Sequence, residues 1–360
     1  MEMTPRERVF TASRRQIPDK VPKWIDHGSF APLLMAEFHK KTGASKPEEY
    51  FDYDIRQIGF GPSEKKPDIK KYIPSDIPRG AFVDWDTGNV QMRGIHGNVV
   101  STIHYALEEA ETVKDIEDYP IQDFSDKYQL QLLKEKVIEI KRRNLASMGM
   151  MGATIFERAW NLRGFENFLI DMVLRKDMAN LLLDKITELR CRQAEIMAEA
   201  RVDILRLGDD VGTEHGMMLS LELWREMLKS RLGKVIKKAK EIKPDIIICF
   251  HSDGDCREVI PELIEIGVDI LNPVQPECMD PAEIKKLFGD KLAFHGTIGT
   301  QTTMPFGTPD DVKKVVKERI ETVGIGGGFL IGPTHLLQDE VPFENVLAFF
   351  EAVEKYGYYI

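Results

Sequence analysis

The chain reads as an α/β protein, a TIM (β/α)8 barrel, on three observations. From residue 127 onward, short apolar runs alternate with amphipathic helical segments, as expected of a parallel sheet whose crossovers are helices. The runs are LASMGMMG (145–152), VDILRLGDD (202–210), DIIICFHSDG (245–254), VDILNPVQP (268–276), KLAFHGTIG (291–299) and GGFLIGPTH (327–335). Two N-terminal candidates, VPKWIDHG (21–28) and FDYDIRQIGFGP (51–62), bring the strands to eight within 360 residues, which suits one such barrel. An open doubly wound sheet is the runner-up. No GxGxxG follows a strand, and GIGGG (324–328) precedes one, so it reads as a turn.

The elements follow in order. Residues 4–15 predict an amphipathic helix opening at Thr4-Pro5. Segment 65–80 is rich in Pro and Lys and reads as a surface excursion. FVDWDTGNVQMRGIHGNVVSTIHYAL (82–107) alternates and carries Gly turns, which predicts antiparallel ribbon. Residues 112–124 read as helix then loop. Helices are expected over 127–143, 164–200, 220–242, 257–266, 281–289, 309–324 and 343–357. The chain is expected to form a single barrel domain over 1–360, with 62–108 as a lid or interface insertion.

Hydrophobic residues are 42% and charged residues 30%, an ordinary globular balance. A formal charge of -10 argues against a general nucleic-acid surface. No apolar run nears the ~18–20 residues of a membrane span, and MEMTPRERVFTASRRQ has no signal-length apolar core. Cys191, Cys249, Cys256 and Cys278 are too scattered for a disulfide framework. A cytoplasmic protein without membrane or nucleic-acid partners is the expectation.

In a TIM barrel the residues just past the strands line one pocket. Here they include Asp26, His27, Arg56, Asp209, Asp210, His251, Asp253, Asn272, Gln275, His295, Thr334 and His335. His251, Asp253 and His335 form the sharpest set, since two imidazoles and a carboxylate can hold Zn²⁺ or Fe²⁺ with a position open to substrate. The alternative is a hydrogen-bonded strand-end His251, with Asp253 capping the helix near Cys256. Asp209 and Asp210 are the candidate catalytic groups; as they are adjacent, their side chains should diverge, one serving as base or substrate anchor and the other bonding backbone or capping a turn. Arg158 and Trp160 suit an anionic aromatic ligand, and equally an ion pair beside a packed indole. With His27, Arg56, Asn272, Gln275 and His295 they are the candidate substrate-binding residues. His39, His96 and His104 fall in helix or ribbon and carry no functional expectation; His215 reads as surface.

Four segments, FHSDGDCREVIPELIEIGVDILNPVQPECMDPAEIKKLFGDKLAFHGTIGTQ, FLIGPTHLLQDEVPFENVLAF, LGDDVGTEHGMMLSLELWREMLKSRL and FERAWNLRGFENFL, carry a resemblance. The chain resembles the uroporphyrinogen decarboxylase superfamily over nearly its whole length. The resemblance implies a TIM barrel and one of two chemistries. These are cofactor-free decarboxylation of uroporphyrinogen, and zinc-dependent methyl transfer involving a corrinoid protein or a thiol such as coenzyme M. The decarboxylase carries Arg-Gln-Ala-Gly-Arg after its first strand to hold an acidic porphyrinogen. Here that place reads Ile25-Asp26-His27-Gly28-Ser29-Phe30, without arginine. The methyltransferase branch has His-x-Cys after the fifth strand and a late Cys as zinc ligands. His251 matches the first, Asp253 replaces the second, and counting back from Pro342-Phe343-Glu344-Asn345 puts His335 at the third. A His/Asp/His set is harder than His/Cys/Cys.

The resemblance thus implies a metal-dependent methyltransferase acting on a small methylated or methoxylated compound, or a thiol. Its metal would be Zn²⁺, or Fe²⁺ as the alternative, and its corrinoid would ride on a partner protein. A metal-independent decarboxylase of a tetrapyrrole or smaller acid is the alternative function, and a non-catalytic binding barrel the second. Barrels of the family often pair, so a homodimer is compatible.

Overall fold

The computed structural model describes residues 2–61, 67–94, 100–121 and 127–359. His96 and parts of the expected 62–108 insertion and 112–124 loop lie outside the described residues.

Seven strands form one all-parallel sheet in chain order: Ile55–Ile58, Ala146–Met151, Ile204–Gly208, Ile247–His251, Ile270–Asn272, Ala293–Ile298 and Phe329–Pro333. The last five helical crossovers and their strands fall where alternation predicts them. Five of the strands are buried along their whole length, as expected of a sheet covered on both faces. The wall closes through residues 22–24. Lys23 bridges Ile331 in parallel. Ile331 N–H donates to the Pro22 carbonyl at 2.9 Å, and Asp54 N–H to the Lys23 carbonyl at 3.0 Å. The predicted strand 21–28 is therefore reduced to a short stave, for one local and one tertiary reason. Pro22 has no N–H to donate, and the Lys23 N–H goes to the Asp54 carboxylate at 2.8 Å instead of a neighbouring strand. The second predicted strand contracts to Ile55–Ile58.

Helices surround the sheet, and their ends obey local chemistry. Thr4 caps Pro5–Ser13 in a reciprocal capping box with Glu7. Asp280 accepts from Ala282 N–H at 2.9 Å with Pro281 in the first turn. The expected 164–200 helix is two, Phe165–Leu174 and Lys176–Glu199, preceded by Phe156–Arg163. The ribbon exists as three antiparallel strands, Ala81–Val83, Val90–Arg93 and Val100–His104. It docks on the helix Phe156–Arg163, where Leu107 N–H meets the Leu162 carbonyl at 2.8 Å and Arg163 donates to the Leu107 carbonyl at 2.7 Å. Among the described residues no helix is long and apolar enough to cross a membrane.

Candidate metal centre

The strand Ile247–His251 delivers His251 to the carboxyl end of the barrel, and the chain then turns at Gly254 with φ +78°. The neighbouring loop, after Ile204–Gly208, is laced to this turn. Asp253 N–H donates to Asp210 Oδ1 at 2.9 Å, Val211 N–H to Ser252 Oγ at 3.1 Å, and Asp255 N–H to the Thr213 carbonyl at 2.7 Å. A Cβ on Gly254 would sit 2.7 Å from the Gly212 carbonyl oxygen, so the two backbones meet directly. This lacing sets Asp210 beside Asp253. His251 Nε2 lies 3.6 Å from Asp210 Oδ1 and 3.8 Å from Asp253 Oδ1. Asp253 does not cap the following turn; Asp255 Oδ1 does, accepting from Arg257 N–H at 3.1 Å.

A second acid–imidazole group adjoins the first, the His27 ring meeting the His251 ring edge-on with centroids 4.9 Å apart. Asp26 Oδ2 accepts from Arg206 Nε at 2.8 Å, and Asp26 Oδ1 from Gln57 Nε2 at 2.6 Å and His27 N–H at 2.8 Å. Arg206 Nη2 meets His27 Nε2 at 2.7 Å. His27 sits in the left-handed region, at φ 52°, and its ring stacks on His335 with centroids 4.2 Å apart. Such a backbone costs roughly 1–3 kcal/mol and persists where its surroundings over-determine it; the Arg206 contact and the stack do so here.

Two groups of three metal-ligating atoms lie within 4.8 Å of one another, Asp26/His27/His251 and Asp210/His251/Asp253. The first is already neutralised, because Arg206 supplies the cation and uses both Asp26 and His27. The second has no Lys or Arg partner among the described residues. Burial and the Asp210 charge push Asp253 up to about 7, and burial raises Asp210 as well. Burial, then Arg206 and His27, keep His251 well below its ordinary value, so the imidazole is neutral. His335 belongs to neither group, its ring centroid standing 6.2 Å from that of His251. The expected trio His251/Asp253/His335 is thus only partly assembled: the third donor in reach is Asp210.

Asp209 is buried and turned the other way. Its carboxylate accepts from the N–H groups of Ile155 and Glu157, each at 3.0 Å, at the start of Phe156–Arg163. That is a helix-capping position, away from the cleft. Glu157, on the same helix, is a partly buried acid close to both aspartates. Burial, then Asp209 and Asp210, push it up to about 8, and the Asp210 N–H reaches its carboxyl. Gln275 Oε1 accepts from Gly254 N–H at 3.1 Å and lines a cleft of about 470 Å³ with Asp253, Thr334 and His335. Asn272 and His295 are fully buried behind His251 rather than open to a ligand.

Arg56 departs from expectation. It donates to the Tyr53 carbonyl at 2.7 Å and the Glu48 carbonyl at 2.9 Å, outside the barrel, while Gln57 is the inward side chain. Arg158 and Trp160 are half-buried on Phe156–Arg163; Trp160 packs edge-on against Phe165 at 5.7 Å, and neither touches the cluster among the described residues. Sequence reading missed Arg206, Gln57 and Glu157 as site residues. Arg206 had a signal, since a charge inside an otherwise apolar strand demands a buried partner.

A parallel barrel with an acid–imidazole cluster at the strands' carboxyl ends defines an enzyme class built on loop-borne chemistry. The family described as uroporphyrinogen decarboxylase (URO-D) matches residues 99–356, so the chain belongs to that family of enzymes. The methylcobamide:CoM methyltransferase of Methanosarcina barkeri is 26% identical over 198 residues, 55% of this chain and 55% of that one. The uroporphyrinogen decarboxylase of Legionella pneumophila is 25% identical over 194 residues, 54% of this chain and 52% of that one. The matches span about half the length of these curated relatives. A methyltransferase from Methanosarcina mazei shares the fold with a TM-score of 0.68 at 19% identity, covering 98% of this chain and 99% of that one.

Proposed function

We propose that the chain is a metal-dependent methyltransferase. It would move a methyl group between a small methylated or methoxylated compound, or a thiol, and a corrinoid protein. The observation that carries this reading is the neutral His251, whose Nε2 faces two carboxylates that pair with no Lys or Arg among the described residues. Ligands on a tetrahedral ion with bonds of about 2.1 Å stand about 3.4 Å apart. The separations of 3.6 Å and 3.8 Å are close to that, so His251, Asp210 and Asp253 fit a divalent ion. Among the described residues no cysteine belongs to the cluster. One nitrogen and two carboxylates suit Zn²⁺ and also harder ions such as Fe²⁺.

When bound, the ion supplies Lewis acidity toward a substrate oxygen, nitrogen or sulfur. Glu157, protonated near neutral pH, holds a proton beside Asp210 for a departing heteroatom. Gln275 and His335 border the cleft that admits the substrate, and its volume suits a small molecule. The methyltransferase named among the relatives uses a methylcobamide, which supports a corrinoid on a partner protein docked over the barrel mouth. A polycarboxylate tetrapyrrole finds little here: Arg206 is paired with Asp26, and the mouth carries raised carboxyls.

The test joins metal analysis of untagged protein with methyl transfer to cob(I)alamin from a panel of methylated and methoxylated compounds. Near-stoichiometric metal, its loss in His251→Ala, and methylcobalamin formation are expected. Metal-free protein that decarboxylates uroporphyrinogen equally well in His251→Ala would overturn the proposal.

A further inference from the structure

Behind His251 a line of polar groups crosses the barrel interior. His251 Nδ1 meets Asn272 Oδ1 at 2.5 Å. The Asn272 amide nitrogen meets His295 Nδ1. His295 Nε2 meets the Trp24 backbone carbonyl at 3.4 Å. The three side chains come from three consecutive strands and are buried.

The carbonyl at the far end sets the direction of the whole line. A carbonyl oxygen only accepts, so His295 carries its proton on Nε2. Burial pushes His295 down to about 3, so the ring has no second proton and Nδ1 is an acceptor. Asn272 therefore turns its NH₂ toward His295 and its Oδ1 toward His251. That oxygen also only accepts, so the His251 proton is on Nδ1. Its Nε2 is left as a bare lone pair, and Nε2 is the atom that faces Asp210 and Asp253. The anchor is itself tightly built. The His295 ring stacks on the Trp24 indole with centroids 3.2 Å apart and planes 13° from parallel. Gly332 leaves the gap: a Cβ there would lie 2.3 Å from the Trp24 carbonyl oxygen and 2.7 Å from His295 Nε2.

We propose that this Trp24–His295–Asn272 relay fixes His251 as its Nδ1–H tautomer, making Asn272 and His295 positioning residues that keep Nε2 open for coordination. Only the use made of Nε2 rests on the metal-site reading; the tautomer is a property of the metal-free protein. Outer partners of this kind set which imidazole nitrogen coordinates.

Long-range ¹H–¹⁵N spectra of metal-free protein labelled with ¹⁵N-histidine read the tautomer directly, with His251 assigned through His251→Gln. Wild-type His251 is expected to show a protonated Nδ1 and a bare Nε2. Asn272→Leu should release the ring toward the Nε2–H form and weaken Zn²⁺ binding about 10–100-fold in chelator competition. Asn272→Asp still accepts from His251 and should keep the Nδ1–H form, which a purely structural role for position 272 does not explain. A wild-type proton on Nε2, or loss of the Nδ1–H form in Asn272→Asp, would overturn the relay. The expected tautomer in a protein that binds no Zn²⁺ would uphold the relay and defeat the metal reading alone.

Discussion

Asp210 and Asp253 present carboxylate oxygens to one imidazole nitrogen, and among the described residues neither pairs with Lys or Arg. Two acids held this way repel each other until a cation arrives, which is why burial and mutual charge raise Asp253 to about 7. Asp210→Asn and Asp253→Asn are each expected to weaken Zn²⁺ binding by more than about 100-fold, beyond the usual effect of an outer partner. His335→Asn should change it by less than about threefold, because that ring stacks on His27 instead of joining the cluster. Chelator competition separates the two results; equal loss in all three would restore His335 to the ligand set. The sequence made His251, Asp253, Asp210 and His27 visible because each follows an apolar run at a place where barrels collect chemistry. It misdirected attention at Arg56 for a reason of parity. Adjacent strand residues face opposite sides, so Arg56 points outward to backbone carbonyls while Gln57 reaches Asp26.

At the level of elements, the site depends on two loops joined backbone to backbone. Asp210 and Asp253 meet because the turn after His251 lies against the loop after Gly208 through Gly254 and Gly212. Gly254→Ala would place a methyl group 2.6 Å from the Gly212 carbonyl carbon at a φ of +78°. A loss of about 1–3 kcal/mol in stability is expected, together with loss of Zn²⁺ binding as the loops part. Denaturant unfolding and metal titration on the same variant check this; unchanged metal affinity would show that the lacing does not position the carboxylates. No pattern in the sequence announces such pairing. Periodicity located both strands, but the contact between their loops depends on register, which a one-dimensional pattern leaves open. The same limit explains Asp209. Adjacent acids diverge, but the sequence leaves open which of the two turns to backbone; the fold sends Asp209 to the N-terminus of Phe156–Arg163.

For the whole molecule, the helix Pro5–Ser13 is tied to the barrel by buried acids. Arg6 pairs with Asp203 at 2.8 Å, and Arg8 with Asp54 at 2.8 Å. Burial works to raise Asp203, but Arg6 and the Ser147 N–H outweigh it and hold its carboxyl below the usual range. An acid with a depressed folded pKa adds stability above its unfolded value of about 4, and that stability is lost as pH falls below it. Asp203→Asn should therefore cost about 1–3 kcal/mol at pH 7, and the gap from wild type should close as pH falls below about 4. Urea unfolding across that range gives the answer; a gap that does not change with pH would assign Asp203 a packing role alone. The alternation of strands and helices revealed the barrel, yet its closure was legible only as an eighth apolar run. That Pro22 and Asp54 thin this run to a stave is a tertiary fact.

The stave has a further consequence. Residues 22–24 bond to Ile331 on one side and to Asp54 on the other, Trp24 also lends its carbonyl to the base of the imidazole line, and the same segment continues into Asp26 and His27. An ion held by His251 would therefore be linked to the seam of the wall through Asn272 and His295. A ligand that binds only the closed barrel would add its binding free energy to the stability of that closure.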